Sequence, residues 1–152
     1  MAVNYHTVEQ ALLDVLRADP GVLAAADAGT PIYVTDEPDS PTLEQCPAVQ
    51  VYAASASRAI SRLAQGVRPS NETIVILVRC SASSAESVPD ARRQRDALVS
   101  TVLDALEAST ATRRLNGAVA SLTVPRVELE PVERTTGCFA RAILTVECLT
   151  TS

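Results

Sequence analysis

Apolar residues mark out the elements of this chain by their spacing. Val8, Ala11, Leu12, Val15 and Leu16 recur at helical intervals until Asp19-Pro20-Gly21, and Thr7 with Gln10 is spaced as a capping box, so a first helix is predicted there. Residues 22–28 add one further turn before Gly29, and residues 32–35 read as a short strand. Over residues 48–60 the pattern changes to alternation: Val49, Val51 and Ala53 oppose Gln50, Tyr52 and Ala54, as in a strand with one buried face. Residues 73–80 form an apolar strand. A loop of small residues follows, then a second helix over about 88–109, with Leu98, Val99, Val102, Leu103 and Leu106 on one side. Ser87 is its expected N-cap, Pro89 suits its first turn, and Asp90 lies where a capping box places its acid. Arg92, Arg93, Asp96, Asp104 and Glu107 fall off the apolar side, with local pairing such as Arg92 to Asp96 expected.

Two strands close the chain. In the first, Ala118, Ala120, Leu122 and Val124 are apolar at even positions, but beyond Pro125 the apolar set moves to Val127 and Leu129. A strand changes parity only through a bulge or kink, and the proline stands at the break. In the second, Ala140, Ala142, Leu144, Val146 and Cys148 share a face, with Phe139, Arg141, Ile143, Thr145 and Glu147 on the mixed other one. The order helix, strand, strand, strand, helix, strand, strand predicts an α+β domain. Its sheet, mixed or antiparallel, has about five strands, with two main helices packed on one face. At 152 residues the chain is read as one domain, residues 1–152, with one core.

Composition narrows the chemistry. With 47% hydrophobic residues, 3% aromatic and no Trp, the core is built from Ala, Val, Leu and Ile, so binding must work by area and strand pairing rather than by aromatic anchors. A net charge of −5 argues against a nucleic-acid-binding surface, which needs clustered cations. All 13 cations are arginine. Strand, small-residue loop and helix start at 72–98 have the layout of a phosphate site, yet residues 80–89 contain no glycine and the chain no lysine. A polar connection ending in a capped helix is the better reading. Catalysis by a nucleophile and base would have to pass through His6, the one histidine, just before the first helix cap. The cysteines at 46, 80, 138 and 148 form no C-x-x-C pair, and no ligand-spaced histidines or acids occur, so no metal or cofactor site is expected. The N-terminal stretch has neither a basic leader nor a long apolar run, so the expectation is a reduced, cytoplasmic origin with four free thiols and no membrane span.

Three segments stand out as candidate interaction sites. Residues 58–71 connect two strands at greater length than a hairpin turn requires, and they carry Arg58, Arg62 and Arg68 around Gly66 and Pro69. The segment 36–47, with three prolines and four acids including Asp36, Glu37 and Asp39, is a loop that water or a partner must satisfy. Arginine forks of one subunit and this acidic loop of a neighbour are complementary. Glu128, Glu130 and Glu133 cluster between Pro125 and Arg134, as a solvated rim, as partners of Arg126, Arg134 or a neighbouring subunit, or, were the chain to form a ring, as residues facing its channel.

Taken together, "ADPGV", the acidic proline loop, "PAVQVYAA", the arm-like "SRLAQGVRPSN", "TIVILVRCSASSAESVPDARRQRDALVSTVLDAL" and two closing strands resemble the tail terminator (tail-completion) proteins of long-tailed bacteriophages. The resemblance is one of pattern along nearly the whole chain. It implies a non-enzymatic virion protein at the head-proximal end of the tail, assembled in the host cytoplasm. Its subunits form a ring, typically a hexamer, that caps the tail tube, stops its polymerisation and joins the head-side connector, while DNA passes through without specific binding. Related neck and tube proteins share such patterns, so the alternatives are another head-tail neck or connector protein, or a small non-enzymatic adaptor domain.

Overall fold

The start of the first helix is fixed by a side chain ahead of the apolar stripe. In the computed structural model, which describes residues 4–24, 33–35, 46–63, 66–134 and 137–151, α1 (Tyr5–Ala18) is capped by Asn4, whose side-chain oxygen accepts from the Thr7 amide at 3.3 Å. Thr7, the cap expected from the capping-box spacing, therefore lies inside the helix. Asn is the stronger cap, and it satisfies an amide that the first turn leaves without a partner. Asp19 ends α1, and its Oδ1 accepts from the Val22 amide at 3.0 Å, so the same residue opens α2 (Pro20–Ala24).

The strands are β1 (Tyr33–Thr35), β2 (Ala48–Leu63), β3 (Gly66–Ser84), β4 (Ser121–Leu129), β5 (Glu133–Arg134) and β6 (Cys138–Thr151). They form one sheet in the order β1-β2-β3-β6-β4, with β5 also paired to β6. Only β1 and β2 are parallel; the other pairs are antiparallel. α1 and α3 (Val88–Glu107) pack against one face, giving the α+β architecture that the spacing predicts. Ser87 caps α3 by accepting from the Asp90 amide at 3.3 Å, as expected. α4 (Thr110–Arg113) and a single 3-10 turn (Leu115–Gly117) lead into β4. That turn runs through left-handed backbone at Leu115, Asn116 and Gly117, and at φ +100° the last position favours glycine.

Pairing register explains which side chains are sealed. Val49 lies opposite Cys80, and Cys80 opposite Ala142; Val51 lies opposite Val78, and Val78 opposite Leu144. These rows face the helices and are fully buried, together with Ile74, Ile76, Val146 and Cys148. Leu98, Val102 and Leu106 of α3 and Leu12, Leu13 and Leu16 of α1 complete the same cluster. The parity change in β4 is a register shift between Thr123 and Arg126, spanning Pro125, in an edge strand where a missing N–H is tolerated. Ala118 and Ala120 precede β4 rather than belonging to it.

On the opposite face the sheet has no helical layer among the described residues, and Tyr52, Thr73, Val75, Leu77, Arg79, Ile143 and Thr145 are half-buried. The two faces therefore differ in kind.

Candidate interaction surfaces

The segment 58–71 is not a loop. β2 and β3 continue through it as an antiparallel ladder, with Arg58 opposite Glu72, Ile60 opposite Pro69, Ser61 opposite Arg68, Arg62 opposite Val67 and Leu63 opposite Gly66. The expectation of an unpaired connection fails because the alternation is broken by register shifts, one between Ala53 and Ser55 and one between Ala59 and Ile60, not by the end of pairing. The third strand ends earlier. β6 pairs with β3 only as far as Thr151 opposite Asn71, and β1 pairs with β2 only at residues 48–50. Beyond residue 71 the described sheet is thus a two-stranded ribbon, about 15 Å long at ~3.3 Å per residue.

The root of this arm is tied to the body. The Tyr5 hydroxyl donates to Glu72 Oε1, and the Thr150 hydroxyl donates to the Glu72 carbonyl at 3.1 Å. Glu72 is buried and Tyr5 is 42% exposed. The bond to Glu72, with smaller contributions from desolvation and from the carboxylate's charge, holds the Tyr5 phenol above its ordinary pKa; Arg58 acts in the opposite sense. Nearer the body of the sheet, Glu9 of α1 accepts from the Ala53 amide of β2 at 2.9 Å. That bond covers an edge amide, whereas Ala54–Arg58 are exposed.

Arg58, Arg62 and Arg68 all fall on the hairpin, with Arg58 exposed at its root. Asp36, Glu37 and Asp39 lie outside the described residues. The three glutamates do not form one strip. Glu128 pairs with Arg126 at 3.2 Å, and Glu133 pairs with Arg141 at 2.7 Å, not with Arg134. Glu130 follows the end of β4, where its amide donates to the Arg141 carbonyl at 3.0 Å. Two of the three carboxylates are thereby neutralised within the subunit.

Glu130 also belongs to a groove of about 450 Å³ between the start of α3 and the end of β4, lined by Val88, Arg92, Arg95, Leu129, Pro131 and Val132. Arg95 is 3% exposed; its Nη1 donates to the Glu130 carbonyl at 3.2 Å, and its Nε donates to Asp96 Oδ1 at 3.0 Å. Asp96 is therefore taken by Arg95 rather than by Arg92, and Asp90 pairs with Arg93. The burial of Arg95 was legible in spacing, since Ala91, Arg95, Leu98 and Val102 make one helical stripe.

On the face away from the helices, Ser81 lies opposite Arg141, and Arg79 lies opposite Ile143. The Nε atoms of both arginines and the Ser81 hydroxyl are buried without hydrogen-bond partners among the described residues. Arg141 also stacks over Phe139, 5.4 Å from the ring centroid. Sequence alternation assigns these residues to a mixed face but carries no sign of orphaned donors.

All four cysteines are buried and free, and burial pushes the Cys80 and Cys148 thiols up to about 12. Burial also raises Cys46, against smaller opposing effects of Ser83 and Arg141. His6 is exposed on the first turn of α1. Among the described residues no group of His, Cys, Asp and Glu is arranged to hold a metal ion, and no helix is long and apolar enough to cross a membrane. No family model matches the chain, and no curated protein matches it.

Proposed function

We propose that the chain is a structural subunit of a phage tail terminator, assembling with copies of itself into a ring that caps the tail tube, stops its growth and meets the head-side connector. The observation that carries this reading is the hairpin arm. Two strands of 16 and 19 residues run past the last pairing of their third strand. A two-stranded ribbon is marginal alone in water, so extending one beyond the sheet favours a use in which another surface completes it. Between residues 58 and 71 the chain carries three arginines and no acid, which suits an acidic receptor on a neighbouring subunit or on the tube.

In this reading the arm and the sheet edges make the ring contacts, and the protein performs no catalysis and needs no cofactor. The pairing of Glu128 and Glu133 with arginines favours a rim over a strongly negative channel wall for that edge. Negative-stain electron microscopy of the purified protein, alone and mixed with tail tube protein, tests the proposal. Rings with a central hole and tubes capped at one end are expected. Monomers that leave tube length unchanged would overturn it. The paired changes Arg62→Ala and Arg68→Ala should reduce ring formation while leaving the circular dichroism spectrum of the monomer unchanged.

A further inference from the structure

The sheet face away from the helices has an ordered charge pattern. Three consecutive rows cross β3 and β6: Arg79 with Ile143, Leu77 with Thr145, and Val75 with Glu147. The middle residues are half-buried and mostly apolar, while Glu147 is exposed. Neither Arg79 nor Glu147 is in an ion pair among the described residues, although the neighbouring Arg126 and Glu128 of the same face pair with each other. Arg79 and Glu147 thus lie one row to either side of Leu77–Thr145, each about 6.6 Å from it at ~3.3 Å per residue.

Such a face is complementary to itself. A two-fold axis running across the strands, along the Leu77–Thr145 row, lays the Arg79 row of one copy over the Glu147 row of another. Two-fold symmetry then makes the same contact twice. Sheets stacked face to face sit about 10 Å apart, a gap that half-buried Val75, Leu77 and Ile143 side chains fill and an arginine spans. We propose that this face docks a second copy of the chain, back to back, through reciprocal Arg79–Glu147 pairs around a Leu77–Thr145 centre.

The inference does not rest on the ring reading. A two-fold contact closes at two copies, whereas a ring is built through the arm and the sheet edges.

Sedimentation equilibrium of the full chain over a concentration series tests it. The wild type should pair two-fold, as dimers of single chains or of rings; Arg79→Gln and Glu147→Gln should each weaken that pairing by about tenfold or more, as for a close interfacial charge pair; and the swap of Arg79→Glu with Glu147→Arg should regain most of the loss. Wild-type association in both single variants, or a swap no better than the singles, overturns the proposal, as does a wild type that never dimerises. If the swap fails to fold, phenylglyoxal labelling of Arg79 in the wild type decides. Protection that grows with protein concentration supports the contact, and labelling at the same rate throughout sinks it. Arg62→Ala with Arg68→Ala, run in parallel, separates the two proposals: loss of rings with retained dimers leaves the face contact standing, and loss of the face contact with retained rings leaves the ring standing.

Discussion

Tyr5, the first residue of α1, donates its hydroxyl to Glu72, 67 positions later in β3, where the sheet narrows to two strands. A helix terminus thereby fixes the root of the arm. Tyr5→Phe removes the donor and leaves a buried carboxylate with one bond fewer. Tryptic cleavage after Arg58 and Arg62 should accelerate about fivefold, the order expected for losing a hydrogen bond to a charged group at a half-exposed position. Cleavage at the wild-type rate would show that the ribbon is held elsewhere.

Leu106 is fully buried in the main core, at the end of the Leu98–Val102–Leu106 stripe. Leu106→Ala should cost about 2–5 kcal/mol in urea unfolding, from lost transfer energy plus the cavity left behind. A loss below about 1 kcal/mol would mean that α3 repacks freely on the sheet.

Arg95 pins the end of β4 to α3. Its guanidinium reaches the Glu130 carbonyl and an Asp96 carboxylate that remains 58% exposed. Because solvent screens that ion pair, Arg95→Ala should cost about 1–3 kcal/mol, mainly through the lost packing of the buried stem and the lost bond to the half-buried Glu130 carbonyl. Arg95→Met keeps the stem and should recover part of it. Amide exchange at residues 129–132 should quicken in both variants; unchanged exchange would detach the groove from this residue.

Burial beneath α3 and α1 pushes the thiols of Cys80 and Cys148 up to about 12, above the ordinary thiol value. A raised pKa means that the unfolded chain loses its protons first. Their contribution is complete below the unfolded thiol pKa of about 8.5 and is lost as pH rises toward the folded value, at ~1.4 kcal/mol per pH unit for each thiol. Urea midpoints should fall from pH 9 to pH 10.5, and the double change Cys80→Ala, Cys148→Ala should flatten that slope. In native protein at pH 8, iodoacetamide should leave both residues unmodified, and in urea it should modify them.

Much of the layering was legible in the chain because burial on the helical face obeys simple periods. At even positions over residues 74–82 of β3 and 140–148 of β6, and at Leu98, Val102 and Leu106 of α3, the core-facing side chains are all apolar, so pattern and packing agree. The arm was harder to read. A register shift between Ala59 and Ile60 breaks the two-residue period, and Gly66 and Pro69 imitate a loop, so backbone pairing persists where side-chain alternation does not. Glu72 is hard to read from the chain for a related reason. It continues the core-facing series of Ile74, Ile76 and Val78, and only its tertiary partners Tyr5 and Thr150 explain a carboxylate there. The orphaned donors on the open face have no signature in one sequence, because they depend on what surrounds three side chains from two strands.

The proline at the β4 bulge also gives the sheet a direction of growth. At one outer edge Pro125 offers no amide and the register shift bends the strand, so an incoming strand finds no continuous template. At the other outer edge Glu9 occupies a single amide, and the run Ala54–Arg58 beyond it is exposed, without proline or lysine. Along the body of the sheet, strand addition, whether by a proper neighbour or by a misfolded copy during synthesis, therefore enters at the β2 edge and not at the β4 edge. The blocked β4 edge keeps strand addition through the body of the sheet from running on as a fibre, in a protein whose long hairpin would otherwise invite it.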